Sequence, residues 1–412
     1  MRLRSMIAAL AASAVLPVAG AQATDLEVTH WWTSGGEAAA VAELAKAFDG
    51  KTDNHWVDGA IAGSGNTARP IIVSRILGGD PMGATQLNHG RQAEELIQAG
   101  LMMDLTDIAE EQGWKEKVNP PSLLDACTYE GKIYCAPINI HSWQWMWLSN
   151  KAFEDAGVAV PKDWNEFVDA APALEKAGKI PLAMGQQPWQ QGGAFNVILT
   201  AVGGVDLIDK IQSQKDMDAA RGPEFAKVWQ AYAKAREMSA KSTVQDWNQA
   251  TNLVITDQAG AQIMGDWAQG EFQVAGEVAG QDYECLPGLG LEAILDTGGD
   301  AFYFPVNDDP DVTKAQKELA ALLLTPDVQV AFNQKKGSLP VRGDVDLGNV
   351  NACMKKGLDL LAAGKIMPSR EIVLTQDTIN EINDLLTEFW SDPSYSAEDA
   401  QSAYADIIEN AD

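Results

Sequence analysis

The sequence predicts an α/β fold in two lobes. Each lobe is a mainly parallel sheet flanked by helices, and the hinge between them is crossed by the chain more than once. Three observations predict this. Apolar strands alternate with helical patterns over the first hundred residues, the pattern then changes to short strands followed by a long helical stretch, and a strand-like segment returns after residue 300. A β-α-β alternation of this kind builds a parallel sheet, with ligand chemistry at the carboxyl ends of its strands.

Taken in order, LEVTHWW (26–32) is a strand, and EAAAVAELAKAF (37–48) has apolar residues at helical spacing. HWVDGAIAG (55–63) is a second strand and ARPIIVSRILGG (68–79) a second helix. ATQLN (84–88) is the third strand, with a third helix over 91–99. Short strands around Cys127 to Asn139 end in IYCAPINIH, and a mostly helical stretch runs on to Leu286, carrying Trp164, Trp189, Trp229, Trp247 and Trp267. AFYFPVN (301–307) is the returning strand, and helices after Gln316 and Thr378 close the molecule. The expected lobes are 24–136 plus about 297–340, and about 137–296 plus 341–412.

Residues 1–23 read as a signal peptide: Arg2 and Arg4, an apolar run from Met6 to Val18, then Ala21-Gln22-Ala23 as a small-x-small cleavage site. Export to the periplasm is expected, and an oxidising compartment favours disulfides. A bridge from Cys127 to Cys135 would span the hairpin around Glu130-Gly131, leaving Cys285 and Cys353, but four cysteines allow three connectivities. The formal net charge of −28 opposes nucleic acid and anionic membranes. No metal-ligand spacing, cofactor loop or nucleophile motif is present. Gly63-Ser64-Gly65-Asn66 precedes a helix and could bind an anion there, or simply form a loop at a cleft rim.

The paired tryptophans Trp31 and Trp32 stand at a strand end, shortly before Glu37. Sugars offer apolar C–H faces to aromatic rings and hydroxyls to carboxylates, so this grouping suits a carbohydrate; core packing is the alternative for each ring. Trp143, Trp145 and Trp147 have strand period, which places them on one face.

HWWTSGGE, RILGGDP (75–81), TQLNHG (85–90), CAPINIH (135–141), DWNQA (246–250), MGDWAQGEF (264–272), GDAFYFP (299–305) and FNQKKGSLPVR (332–342) occur in that order. Together they resemble the periplasmic solute-binding proteins of ABC sugar importers, and more narrowly the glucose/mannose-binding branch, over nearly the whole chain after residue 23. The resemblance implies the two-lobe periplasmic-binding-protein fold, closing on a sugar, with a membrane permease as partner, a monomeric state, and neither cofactor nor catalytic residues. It implies binding roles for Trp31, Trp32, Glu37, Gln86, Trp247, Trp267, Asp300 and Lys336. Two positions depart from the branch. Asn88 and Arg370 stand where it often has histidines. Asn88 can donate and accept like an imidazole. Arg370 either grips a carboxylate or sulfonate with its planar fork, or is a surface residue. The expectation is a binding protein for a neutral aldohexose such as glucose. The alternatives are an acidic or modified sugar held by Arg370 and, in another class, a glycosidase using Glu37 and Asp300.

Overall fold

The computed structural model describes residues 23–411, so the expected signal peptide lies outside the described residues except for Ala23. The first sheet has the order β2-β1-β3-β12-β6, from β1 (Asp25–His30), β2 (His55–Ala60), β3 (Ala84–Asn88), β6 (Cys135–Pro137) and β12 (Asp300–Tyr303). The second has the order β10-β7-β9-β8, from β7 (Trp145–Ser149), β8 (Ile180–Ala183), β9 (Ala259–Ile263) and β10 (Tyr283–Pro287). Two-stranded pieces complete the set: β4 (Thr128–Tyr129) with β5 (Lys132–Ile133), and β11 (Leu295–Asp296) with β13 (Ile366–Met367).

In each sheet all strands but one share a direction. β12 is antiparallel to both its neighbours in the first sheet, and β7 is antiparallel to both of its neighbours in the second. The exceptions have one cause. β7 and β12 are the strands that follow a crossing, so the chain enters each of those sheets from the side where the other strands end. The crossing segments lie against one another: Ile138 N–H donates to Asp300 O at 2.9 Å, and Ile140 exchanges backbone bonds with Leu339 at 2.8 and 2.9 Å.

Helix α1 (Gly35–Lys51) starts on the Ser34 hydroxyl, which accepts from Glu37 N–H, and buries Ala40, Val41, Leu44 and Phe48 against the first sheet. Helix α2 (Ser64–Leu77) follows β2. The expected third helix is a 3₁₀ turn over Arg91–Ala93 running into a short α-helix, Glu94–Gln98. The second lobe is centred on an aromatic core in which Trp229 packs between Phe195, Phe225, Tyr232, Phe389 and Tyr404. Cys127–Cys135 and Cys285–Cys353 are both disulfide-bonded, which selects one of the three connectivities.

The two lobes meet on one flank with almost no side chain between them. The backbone of Gly36 in α1 faces Gly270, so closely that a Cβ on Gly36 would stand 2.6 Å from the Gly270 carbonyl carbon. Beside it the Glu271 carboxylate accepts the Gly36 N–H at 2.7 Å, capping the first turn of α1 from the opposite lobe.

Candidate functional site

The carboxyl ends of both sheets face one cavity of about 240 Å³. Its lining comes from the residues after β1, β2, β3, β8 and β9, from the end of β3, from the starts of the reversed segments that lead into β7 and β12, from the helix start at 246–248, from Lys336 and from 370–383. Nine of the ten residues expected to bind ligand line it: Trp31, Trp32, Glu37, Asn88, Trp247, Trp267, Asp300, Lys336 and Arg370.

Gln86 does not. It is fully buried in β3, its amide Nε2 donating to Asp300 Oδ1 at 2.7 Å and its Oε1 accepting Trp31 N–H at 3.0 Å. Since β-residues alternate faces, Gln86 and Asn88 share one side of β3, but only Asn88 reaches past the strand end. Gln86 therefore positions two lining residues from beneath. Its bond to Trp31 also explains why β1 stops at His30, short of the tryptophans: the next backbone donor turns to a side chain and leaves the ladder.

The two rings differ. Trp32 is 1% exposed and packs on Phe302 and Phe332, with an edge on the cavity, whereas Trp31 is half-buried. The opposite wall is aromatic as well. Trp267 meets Trp143 edge-on with centroids 4.9 Å apart, and Trp189 and Trp247 at 6.4 and 6.5 Å. Trp143 lies in the crossing segment, ahead of the stacked pair Trp145 and Trp147. Trp247 opens its helix behind the Asp246 capping box, and Trp267 stands immediately before the helix Ala268–Ala275.

At this end every charge has a partner. Lys336 Nζ donates to Glu37 Oε1 at 3.1 Å, with both side chains nearly buried, and its ammonium lies 5.9 and 5.6 Å from the Trp32 and Trp267 ring centres. Burial opposes the charge of Lys336, but the Glu37 and Asp300 carboxylates outweigh it and raise its pKa. Asp300 accepts from Gln86, from Asn139 Nδ2 at 2.9 Å and from His141 Nδ1 at 3.3 Å, while its own N–H donates to Asn139 Oδ1 at 2.7 Å. Burial works against this carboxylate too, yet His141 and Lys336 hold it well below the usual carboxylate range. His141 rises in turn: Asp300 beside it overcomes the cost of burial. Gly299 makes room for this arrangement, since a Cβ there would sit 2.2 Å from Asn139 O and 2.4 Å from His89 Nε2. His89 itself is pushed down to about 4 by burial, which keeps it neutral below the cavity floor.

Two further carboxylates secure the crossing. Asp266 Oδ2 accepts Ser142 N–H at 2.9 Å, and Asp296 Oδ1 accepts the Ser142 hydroxyl and Trp143 N–H, each at 2.7 Å. Asp266 lies in the turn before the helix Ala268–Ala275, where its carbonyl accepts Gln269 N–H at 2.9 Å. Burial pushes its carboxyl up to about 8.

The arrangement offers apolar ring faces on two sides, two carboxylates and an ammonium with hydrogen-bonding capacity to spare, and a cavity close to the size of one ring. It suits binding and orienting a polyhydroxylated ring. Sequence reasoning missed Trp189, Gln187 and Asn383 in the lining, and Arg69 in α2. Their polar and aromatic identities are unremarkable in helical stretches, and only the meeting of four strand ends makes them neighbours.

These features define a two-lobe receptor for a small solute. The chain belongs to the bacterial extracellular solute-binding protein family, whose model matches residues 32–330. Among relatives, a Rhizobium meliloti (strain 1021) protein named "Probable sugar-binding periplasmic protein" is 34% identical over 357 residues, covering 86% of this chain and 85% of its own. The xylose/arabinose-binding protein XacG of Haloferax volcanii is 25% identical and covers 78% of this chain and 71% of its own. In fold, the chain is similar to the solute receptor AcbH, whose structure is described as showing an exclusive preference for β-D-galactopyranose, with a TM-score of 0.77, 18% identity, and coverage of 94% and 98% of the two chains.

Proposed function

We propose that this protein binds a single aldohexose-type pyranose between its lobes in the periplasm and delivers it to the membrane subunits of an ABC importer. The observation that carries the reading is the paired end of the cavity, where rings from both lobes flank Glu37–Lys336 and Asp300. Charge-assisted hydrogen bonds contribute roughly 1.5–3 kcal/mol each. Three of them with aromatic stacking reach the ~8 kcal/mol of micromolar affinity before ordering costs. The cavity falls below the roughly 300–1,000 Å³ of sites for drug-sized ligands, which favours one ring over an oligosaccharide. The names of the relatives support a sugar as the solute.

Glucose and its neutral epimers are accounted for by this end alone. An acidic sugar is the second reading, and it is favoured by the guanidinium of Arg370 in the lining. Glu37 and Asp300 are each committed to an internal cation, which suits ligand orientation better than glycosidic acid–base work. The lobes, 24–136 with about 297–340 and about 137–296 with 341–412, act as the closing bodies, and the closed shape is the signal that the permease reads. The test is tryptophan fluorescence titration of residues 24–412, confirmed by calorimetry, against monosaccharides and maltose. Saturable micromolar binding of a monosaccharide is expected. Binding of maltose alone would overturn the reading.

A further inference from the structure

The other end of the cavity is built differently. Helix α2 begins there, and its first turn has no side-chain cap: Gly63 adopts φ 102° and Ser64 φ 64°, and the Ser64 hydroxyl is buried without a hydrogen-bond partner. One turn further on, Arg69 lines the same space with its Nε buried and unpartnered, and no carboxylate among the described residues lies within ion-pair distance of it. Gly65 keeps the guanidinium beside the first-lobe indole. A Cβ there would stand 3.0 Å from Arg69 Nη2 and 3.4 Å from the Trp31 ring. From the opposite lobe comes Arg370, whose nearest protein acceptors, Gly192 O and Asn383 Oδ1, are both at 3.4 Å.

Among the described residues, Glu371 is the lining acid beside Arg370. It stands 3.6 Å from Arg370 Nε and is also engaged by the Ser369 hydroxyl. One carboxylate facing two guanidiniums leaves positive charge over, and the uncapped helix start adds partial positive charge and free N–H groups. A buried donor without a partner is costly, so a pocket that collects several is complete only when an acceptor occupies it.

We infer that the start of α2, Ser64, Arg69 and Arg370 form an oxyanion subsite, and that the natural ligand is an acidic pyranose whose carboxylate or phosphate is clasped by one arginine from each lobe. This rests on the proposed pyranose-binding function. It makes closure depend on ligand charge, because each lobe supplies one of the guanidiniums that the anion draws together.

The experiment is calorimetry of residues 24–412 with glucose, galactose, glucuronate, galacturonate and glucose 6-phosphate, at low and high salt. A uronate or the phosphate is expected to bind at least about tenfold more tightly than its neutral counterpart, with a preference that shrinks as salt rises. The two acidic arms separate carboxylate from phosphate. Arg69→Gln should abolish the preference, and the salt dependence of the unaltered protein serves equally if that variant does not fold. Neutral hexoses binding as well as or better than every acidic partner would overturn the inference and leave the pyranose reading standing. Silence with every monosaccharide would overturn the pyranose reading itself.

Discussion

The two ends of the cavity are lined by similar residue types and are nonetheless opposite in character. Around Asp300, the Asp300, Glu37, Lys336 and His141 side chains each meet an opposite charge or a matched amide at 2.7–3.3 Å, and the unpartnered atoms beside them belong to the neutral His89 ring and to Asp266 Oδ1. Around Arg69 and Ser64, donors are buried with nothing to receive them. A prepaired network fixes geometry in advance and limits what is lost to ordering on binding. Unsatisfied donors instead place a demand on the ligand. On the inference drawn above, selectivity resides at the incomplete end.

The largest effect that would break this comparison is Asp300→Ala. It strands Gln86, Asn139 and His141 together and takes from Lys336 one of the carboxylates that support its charge. Removing one partner from a buried charged network costs about 3–5 kcal/mol. Urea denaturation should register that loss, and calorimetry a fall in sugar affinity of about 100-fold or more. An affinity within threefold of the original would mean that the paired end does not hold the ring.

Next comes a contrast between tryptophans. Trp229→Ala opens a hole in the second-lobe core, for a cost on the order of 3–5 kcal/mol, with little change in affinity where the variant still folds. Trp267→Ala should lower affinity tenfold or more, because its ring faces the cavity. Equal effects of the two on binding would contradict the division between core and wall.

A smaller effect is the dependence on pH. Asp266 rises from an ordinary 3.8 to about 8 on folding. Between those values the folded chain keeps a proton that the unfolded chain releases, so stability falls as pH rises, by at most about 1.4 kcal/mol per pH unit. His141 acts in the same sense: its contribution is complete below its ordinary value and lost as pH climbs through the raised one. Asp300 acts in the opposite sense, its contribution being lost only as pH falls below the usual carboxylate range. His89, lowered from 6.5 to about 4, opposes this slope up to about pH 6.5, so denaturation between about pH 7 and 8 should show a downward slope that Asp266→Asn flattens. The smallest effect is Asn88→Ala, where one neutral hydrogen bond to the ligand predicts a loss of about 0.5–1.5 kcal/mol, a few-fold in affinity.

Much of this was legible in the sequence where it depended on local pattern. The alternation from Leu26 to Asn88 gave the first three strands and two helices nearly to their ends, because periodicity records which face is buried. The lining residues that follow strands, Trp31 and Trp267 among them, were found through motif and resemblance. The reversal of β7 and β12 was not legible, since direction depends on where the chain crosses and not on any run of residues. Gln86 shows the same limit at the scale of one side chain: its type fits a ligand contact, and only the long-range pairing of β3 with β12 places Asp300 above it. Arg69 was passed over because a single cation in a helix is ordinary until the opposite lobe is in position.

The contact between Gly36 and Gly270 has a consequence of its own. With only hydrogens between the backbones, that flank works as a feeler gauge, and its tolerance is less than the thickness of a methyl group. Gly36→Ala would act as a doorstop, leaving the receptor ajar with its sugar aboard. Such a protein would still load in a titration yet show a larger radius of gyration in solution scattering, and in a cell it would hoard the nutrient that it was meant to hand over.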